Sequence, residues 1–279
     1  VRAAIWPDWV KQPTSIANRK TRSEITRNFS HGAWHFVNKP IRHFDGTTEA
    51  EREAIEANIA NPKKKRGEIM EKLPKLIAGL KGEGNVNLPE LVWGGDPNEV
   101  GVNEGQARAI ALCWVLHLVG DIHQPLHAAT LFSKDSPDGD QGGNNFIVRL
   151  ENHATNLHAI WDGEFGWDKL KGPNDSQFAV VDGLAHDLVA RIRPTTVQRE
   201  EMRLEKWADE SFRLAESKAY FSSTQQLLPG EILRPQEHRP HASELDPLPA
   251  GYAGLVKKTA EQRVTLAGYR MGTLLGDLV

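Results

Sequence analysis

The chain has 279 residues, a net charge of −3, and 39% apolar against 25% charged residues. That length can bury a substantial core, and the lack of a positive excess argues against a protein that tracks duplex phosphates by electrostatics alone, though not against a nucleic-acid enzyme whose positive charge comes from bound metal. The single cysteine, Cys113, excludes an internal disulfide and thiolate zinc motifs, so any metal must be held by imidazole nitrogen and carboxylate oxygen.

The sequence opens Val1-Arg2-Ala3-Ala4-Ile5, with neither Met nor a signal-peptide pattern, and is expected to be a processed or truncated product. Residues 1–38 are mixed in pattern and rich in Trp, with Ile5-Trp6-Pro7-Asp8-Trp9 and Ala33-Trp34-His35-Phe36-Val37-Asn38. Residues 47–60 read as a polar helix, because Thr48 followed by Glu51 is a capping signature. A second helix is expected from Asn61-Pro62 through Ile69, Leu73, Leu76 and Leu80, ending near Gly82 or Gly84. The run Lys63-Lys64-Lys65-Arg66 reads as a solvated helix start, with a loose nucleic-acid contact as the alternative.

Residues 84–105 form a loop-rich connection. A buried helix is expected from about Asn103 to Asp121 or His123, disrupted by Pro125. Its apolar stretch, 109–119, is too short to cross a bilayer. Residues 133–144 are a polar loop, 146–150 a short strand, and a helix carries His158 and Asp162. Helical patterns recur at 175–193, 196–217 and 252–278, while 234–249 holds four prolines and is a loop. The expectation is a mainly α protein, one domain over 1–279, with at most a minor β-hairpin.

The chemistry concentrates in His117-Leu118-Val119-Gly120-Asp121-Ile122-His123-Gln124-Pro125-Leu126-His127. His117 and Asp121 are one helical turn apart, with Cβ atoms roughly 5–6 Å from each other, and one imidazole and one carboxylate so placed can grip a divalent ion. A core histidine bonded to a backbone carbonyl is the ordinary alternative. Asp121 argues against it, because an unpaired buried carboxylate costs several kcal/mol. His158 and Asp162 repeat the spacing, where a surface ion pair is the alternative. His127 lies past Pro125, points elsewhere, and is available to a second ion. His123 leaves the His117 face and reads as an outer-shell or surface residue. Cys113 shares that face but reads as packing.

Taken together, His117-x-x-x-Asp121-x-x-x-Pro125-Leu126-His127, Gly142-Gly143-Asn144 and Asn156-Leu157-His158-x-x-x-Asp162 resemble the S1/P1 nuclease family. These are zinc-dependent, mainly helical enzymes related to bacterial zinc phospholipase C. Trp6-Pro7-Asp8, Trp34-His35-Phe36 and the stretch 252–278 resemble further elements of the family, so the likeness spans nearly the whole chain. The resemblance implies a helical bundle of the phospholipase C/P1 nuclease type. It implies one zinc held by Asp8, His35, His117 and Asp121, and another by His127, His158 and Asp162. Asp121 would also bridge to a third zinc, whose other ligands in the family are an N-terminal Trp and a nearby His. Here the first residue is Val1, Trp6 belongs to the Asp8 motif, and no His precedes His31. Either further residues precede Val1 or the protein does without that ion.

The resemblance further implies that zinc-activated water hydrolyses phosphodiester bonds of single-stranded DNA and RNA to 5′-phosphorylated products, with 3′-nucleotidase activity. Lys11 stands where relatives carry Arg and reads as a phosphate-facing cation or an ordinary surface lysine. Asn38 stands where relatives often carry Asp; it cannot act as a base but can orient water. Asn144 matches a base-recognition asparagine, or is a turn residue. Phe36 stacks on a nucleobase, or is core. A secreted or periplasmic, monomeric protein is implied in the same way. The competing readings are a phospholipase C-like phosphodiesterase and a catalytically inactive zinc-binding helical protein. Asp162, where the phospholipases use Glu, and the Gly-Gly-Asn element argue against the first.

Overall fold

Capping chemistry and apolar periodicity set most of the element ends in a computed structural model that describes residues 2–13, 16–61, 67–164, 175–234 and 237–278. Helix α1 (Arg2–Trp9) is followed by α2 (Arg19–Phe29), which starts where the Asn18 side chain accepts from the Lys20 and Thr21 amides. No apolar face announces α2, and none of its residues is buried. A 3-10 turn, Gly32–His35, leads into strand β1 (Lys39–Arg42). Helix α3 (Glu49–Ala60) begins at the expected capping box of Thr48 and Glu51. Asn61 is its C-cap, while Pro62 and the basic run at 63–66 lie outside the described residues. Helix α4 (Ile69–Lys81) buries Leu73, Leu76 and Leu80 and stops where Gly82 adopts a left-handed φ of 74°.

The connection at 84–105 contains a short helix, α5 (Leu88–Val92). Helix α6 (Glu104–Asp121) starts at a capping box of Asn103 and Gln106. It is apolar on most of its circumference, and such a helix must be covered on most sides. Helices α1, α4 and α5 cover it, and Trp114, Val115, Leu118 and Val119 are fully buried among them. Beyond α6, the 3-10 helix Pro125–His127 leads into β2 (Ala129–Phe132), which pairs in parallel with β1. Strands β3 (Phe146–Leu150) and β4 (His153–Asn156) form the expected hairpin, turned at Glu151 with φ 53°. Helix α7 (Leu157–Asp162) follows at once.

Helix α8 (Asp175–Arg191) matches the sequence pattern. The single helix expected over 196–217 is instead two, α9 (Thr196–Glu200) and α10 (Leu204–Leu214), the second continuing as a π turn, Ala215–Ala219. The break has a local cause. Glu201 turns extended (ψ 103°) and its carbonyl accepts the indole N–H of the fully buried Trp207 at 2.5 Å. Strand β5 (Glu231–Ile232) joins β3 to give the order β4-β3-β5, so the sheet content exceeds one hairpin but stays small. Helix α11 (Tyr252–Gly276) closes the described chain.

Two apolar clusters result. One surrounds α6; the other gathers β1, β2, β3, α7, the π turn and the first turns of α11. The C-terminal end of α6 and the segment 122–127 run from one to the other. Among the described residues, no helix is long and apolar enough to cross a membrane.

Candidate metal centre

Asp121 ends α6, and its Oδ2 lies 2.9 Å from His35 Nδ1 and 3.1 Å from His117 Nε2. The two imidazoles approach each other at 2.9 Å, and Asp8 Oδ2, from the last turn of α1, stands 3.7 Å from His117 Nε2. Helix α1 is fixed there partly by His117 itself, whose Nδ1–H donates to the Ala4 carbonyl at 2.8 Å. In the neutral imidazole His117 Nε2 is then the nitrogen with the lone pair. His35 packs edge-on to Trp114, and its Nε2 is buried without a hydrogen-bond partner. Burial alone would push His117 down and Asp121 up. Their pairing reverses both, raising the His117 imidazole and holding the Asp121 carboxyl well below the usual carboxylate range. His35, more buried than it is compensated by Asp121, is pushed down.

A second cluster lies beside the first. His158 Nε2 is 3.1 Å from Asp162 Oδ2, His127 Nε2 is 3.6 Å from Asp162 Oδ1, and the two rings stack with centroids 4.9 Å apart. Each imidazole is oriented from behind: His127 Nδ1–H donates to the His35 carbonyl and His158 Nδ1–H to the Gly142 carbonyl, both at 2.7 Å. Gln124 Nε2 holds Asp162 Oδ1 at 2.8 Å. Burial disfavours the His127 cation, but Asp121 and Asp162 overcome it and push the imidazole up to about 9. Burial likewise opposes the Asp162 anion, yet His127 and His158 keep that carboxyl below its ordinary range.

The turn presenting the Gly142 carbonyl requires its glycines. Gln141, Gly142 and Gly143 all have positive φ, and a Cβ on Gly142 would stand 2.6 Å from the Leu126 carbonyl oxygen. Asp140 gathers this turn from below. It accepts from the Leu131 amide (2.9 Å), the Tyr220 hydroxyl (3.0 Å) and the Gly143 amide (2.9 Å) while fully buried. Burial pushes its carboxyl up to about 6.

The donors sort into two groups, Asp8, His35 and His117 in one, and His127, His158 and Asp162 in the other. Asp121 stands between them, with Oδ2 on the first and Oδ1 3.5 Å from His127 Nδ1. In both groups the imidazoles are sheltered and the outer carboxylate is open: the Asp8 and Asp162 side chains are 58% and 48% exposed.

The S1/P1 Nuclease family model matches residues 1–279. The chain belongs to the S1/P1 nuclease family. It is similar to Nuclease S1 of Aspergillus oryzae (strain ATCC 42149 / RIB 40), with 33% identity over 105 residues, 38% of this chain and 32% of that protein. Endonuclease 3 of Arabidopsis thaliana is 46% identical over 83 residues, 30% of this chain and 25% of that protein. Endonuclease 4 of the same plant is 48% identical over 52 residues, 19% of this chain and 15% of that protein. The chain thus spans at most a third of the length of these relatives in the matched stretches.

In this member of the S1/P1 family both clusters open on one cavity, through Asp8, His35 and Asp121 on one side and His127, His158 and Asp162 on the other, and Lys11, Phe36, Asn38 and Asn144 also line it. Lys11 Nζ donates to Asp8 Oδ1 at 2.7 Å. Asn38 sits at φ 55° with its Oδ1 taken by the Thr130 hydroxyl at 2.8 Å. Asn144 Nδ2 donates to the Gln141 carbonyl at 2.9 Å. His123 is not a surface residue: it is buried, its Nδ1–H donates to Val119 O at 2.7 Å and its Nε2 accepts from Arg270 at 2.9 Å. Cys113 is half-buried, and burial pushes its thiol up. Gln124 and Asp140 carry no sequence signal of their own, although the glycines after Asp140 mark a left-handed turn.

Proposed function

We propose that the protein is a zinc-dependent nuclease that hydrolyses phosphodiester bonds of single-stranded DNA and RNA to 5′-phosphorylated products, with 3′-nucleotidase activity. The observation that carries this reading is the pair of imidazole–carboxylate clusters in one cavity. Donors about 2.0–2.1 Å from a tetrahedral zinc stand about 3.3 Å from one another. His35–Asp121, His35–His117, His117–Asp121 and Asp8–His117 stand 2.9, 2.9, 3.1 and 3.7 Å apart in the first cluster, and His158–Asp162 and His127–Asp162 3.1 and 3.6 Å apart in the second. Imidazole and carboxylate also suit a borderline-soft ion. The donor set fits.

Asp8, His35, His117 and Asp121 would hold one ion, and His127, His158 and Asp162 another. Asp121 would also contribute to a third. Bound zinc supplies Lewis acidity towards phosphate oxygens and lowers the pKa of water. The protein supplies position. The carbonyls of Ala4, His35 and Gly142 orient His117, His127 and His158 through Nδ1–H, so that each Nε2 faces inward and offers its lone pair once its proton is displaced.

Lys11, anchored on Asp8, keeps N–H groups for a phosphate oxygen and acts as a point cation. Asn38 has given its oxygen to Thr130, so its amide N–H remains to orient water or substrate. Phe36 offers a ring for stacking and Asn144 an amide for a base edge. Single strands fit such a site because a base must leave its stack to reach it. A secreted or periplasmic location, a monomer and one domain over 1–279 are part of the same reading, on family membership.

The test is metal analysis of the purified chain together with hydrolysis of denatured DNA, RNA and phosphatidylcholine vesicles, followed by end-group analysis. Zinc in the protein and 5′-phosphate ends on nucleic acid are expected. Cleavage of the lipid alone would move the protein to the phospholipase-like class, and full zinc with no turnover on any substrate to the inactive class.

A further inference from the structure

The segment 122–126 carries the chain from Asp121 in the first cluster to His127 in the second, and its backbone is held by groups outside the metal centre. Ser211 Oγ, on α10, donates to the Ile122 carbonyl at 2.6 Å. Arg263, on α11, donates from Nε to the His123 carbonyl at 3.0 Å and from Nη2 to Ser211 Oγ at 2.9 Å. Arg270, one further stretch along α11, donates from Nη1 to His123 Nε2 at 2.9 Å. Glu210 ties the two arginines together, accepting from Arg263 Nη1 and from both terminal nitrogens of Arg270, each at 2.8 Å. Arg270 is completely buried.

Stability is a weak reason to keep such a network, since buried ion clusters can often be replaced by apolar residues without loss. Its direction is more informative. The arms from Ser211, Arg263 and Arg270 all end on Ile122 or His123, immediately after the carboxylate that stands between the clusters. The next residue, Gln124, reaches forward to Asp162. Groups that orient metal ligands from behind matter nearly as much as the ligands themselves.

We propose that Glu210, Arg263 and Arg270, with Ser211, are positioning residues that fix the 122–126 segment and thereby the spacing of Asp121 and His127 between the two metal clusters. This rests on the metal-centre reading above. Arg263 is the key member because its fork spans three acceptors, Glu210 and Ser211 on α10 and the His123 carbonyl on the segment itself. A lysine there keeps the charge but cannot make all three bonds at once.

The experiment uses the full chain, stripped with chelator and titrated with cobalt(II), for wild type, Arg263→Lys, Arg263→Met and Ser211→Ala. The readouts are the cobalt d–d spectrum, cobalt bound per chain, kcat and KM on denatured DNA, and the melting temperature of the metal-free chain. The expected result is a changed cobalt spectrum and cobalt bound at least about tenfold more weakly in the variants, the usual loss for an outer-shell partner. A fall in kcat with little change in KM should accompany it, graded from Ser211→Ala, which removes the smallest group, to Arg263→Met. Wild-type spectra and kcat with only a lowered melting temperature would overturn the proposal and leave the network as a fold stabiliser. If the arginine variants do not fold, Ser211→Ala decides between these outcomes alone. A wild-type chain that binds no cobalt at all would instead overturn the metal-centre reading, and this proposal with it.

Discussion

The two clusters use the same residue types, and each contains a His and an Asp one helical turn apart, yet they rest on different foundations. His117 and Asp121 end an 18-residue helix whose core residues are fully buried. His158 and Asp162 sit on a helix of six residues, too short to be stable by itself. The second cluster borrows its rigidity from a left-handed glycine turn, from the fully buried Asp140 beneath it, and from the 3-10 helix that carries His127. Identical spacing in sequence can therefore be made firm by a core helix in one place and by loop hydrogen bonds in another. The second kind is easier to disturb without unfolding the protein.

The comparison breaks most severely at the residue between the clusters. Asp121→Ala should lower kcat/KM on single-stranded DNA by about 10³-fold or more, about 4 kcal/mol, and reduce zinc content at both clusters. Elemental analysis with a steady-state assay checks it; loss at the first cluster alone would show that Asp121 serves only one. His127→Ala should remove one equivalent of zinc, leave the first cluster loaded, and lower activity by about 10²-fold or more. Retained activity would mean that the second cluster is not part of the active centre.

Gly142→Ala combines a left-handed φ with a clash against the Leu126 carbonyl, and should cost about 1–3 kcal/mol in stability. It should weaken metal at the second cluster while the first is spared, as read by melting temperature and metal titration. The smallest effect is one of pH. The Asp140 carboxyl, pushed by burial to about 6 from an ordinary 3.8, binds its proton more tightly in the folded chain than in the unfolded one. Its contribution to stability is thus full below about pH 4 and lost as pH rises to about 6. The stability of wild type relative to Asp140→Asn should fall across that window and be flat above it, as measured by denaturant titration of the metal-free proteins.

The sequence made one half of each cluster legible and left the other half to the fold. The His117–Asp121 and His158–Asp162 pairs announce themselves by helical spacing, α3 by its capping box and α6 by its apolar stretch. Asp8 and His35 lie 109 and 82 residues from His117, and nothing local ties them to it; resemblance alone suggested them. The β1–β2 pair escaped because Lys39-Pro40-Ile41-Arg42 has neither alternation nor length. The break between α9 and α10 escaped because it depends on the indole of Trp207 reaching back to Glu201. Glu210, Arg263 and Arg270 read as the polar faces of their helices. The available hint was two arginines set among Leu266, Ala267 and Leu274, which are buried on the same helix.

His35 gives its side-chain nitrogen to one centre and its backbone carbonyl to the imidazole of the other. One residue is thus an element of both. Any adjustment of His35 on metal binding at the first centre would be felt at His127, so that loading of the two centres would be energetically linked. Linkage of this kind is reciprocal: each ion would change the affinity for the other by the same factor, and stepwise metal titration would read that factor as two unequal binding constants.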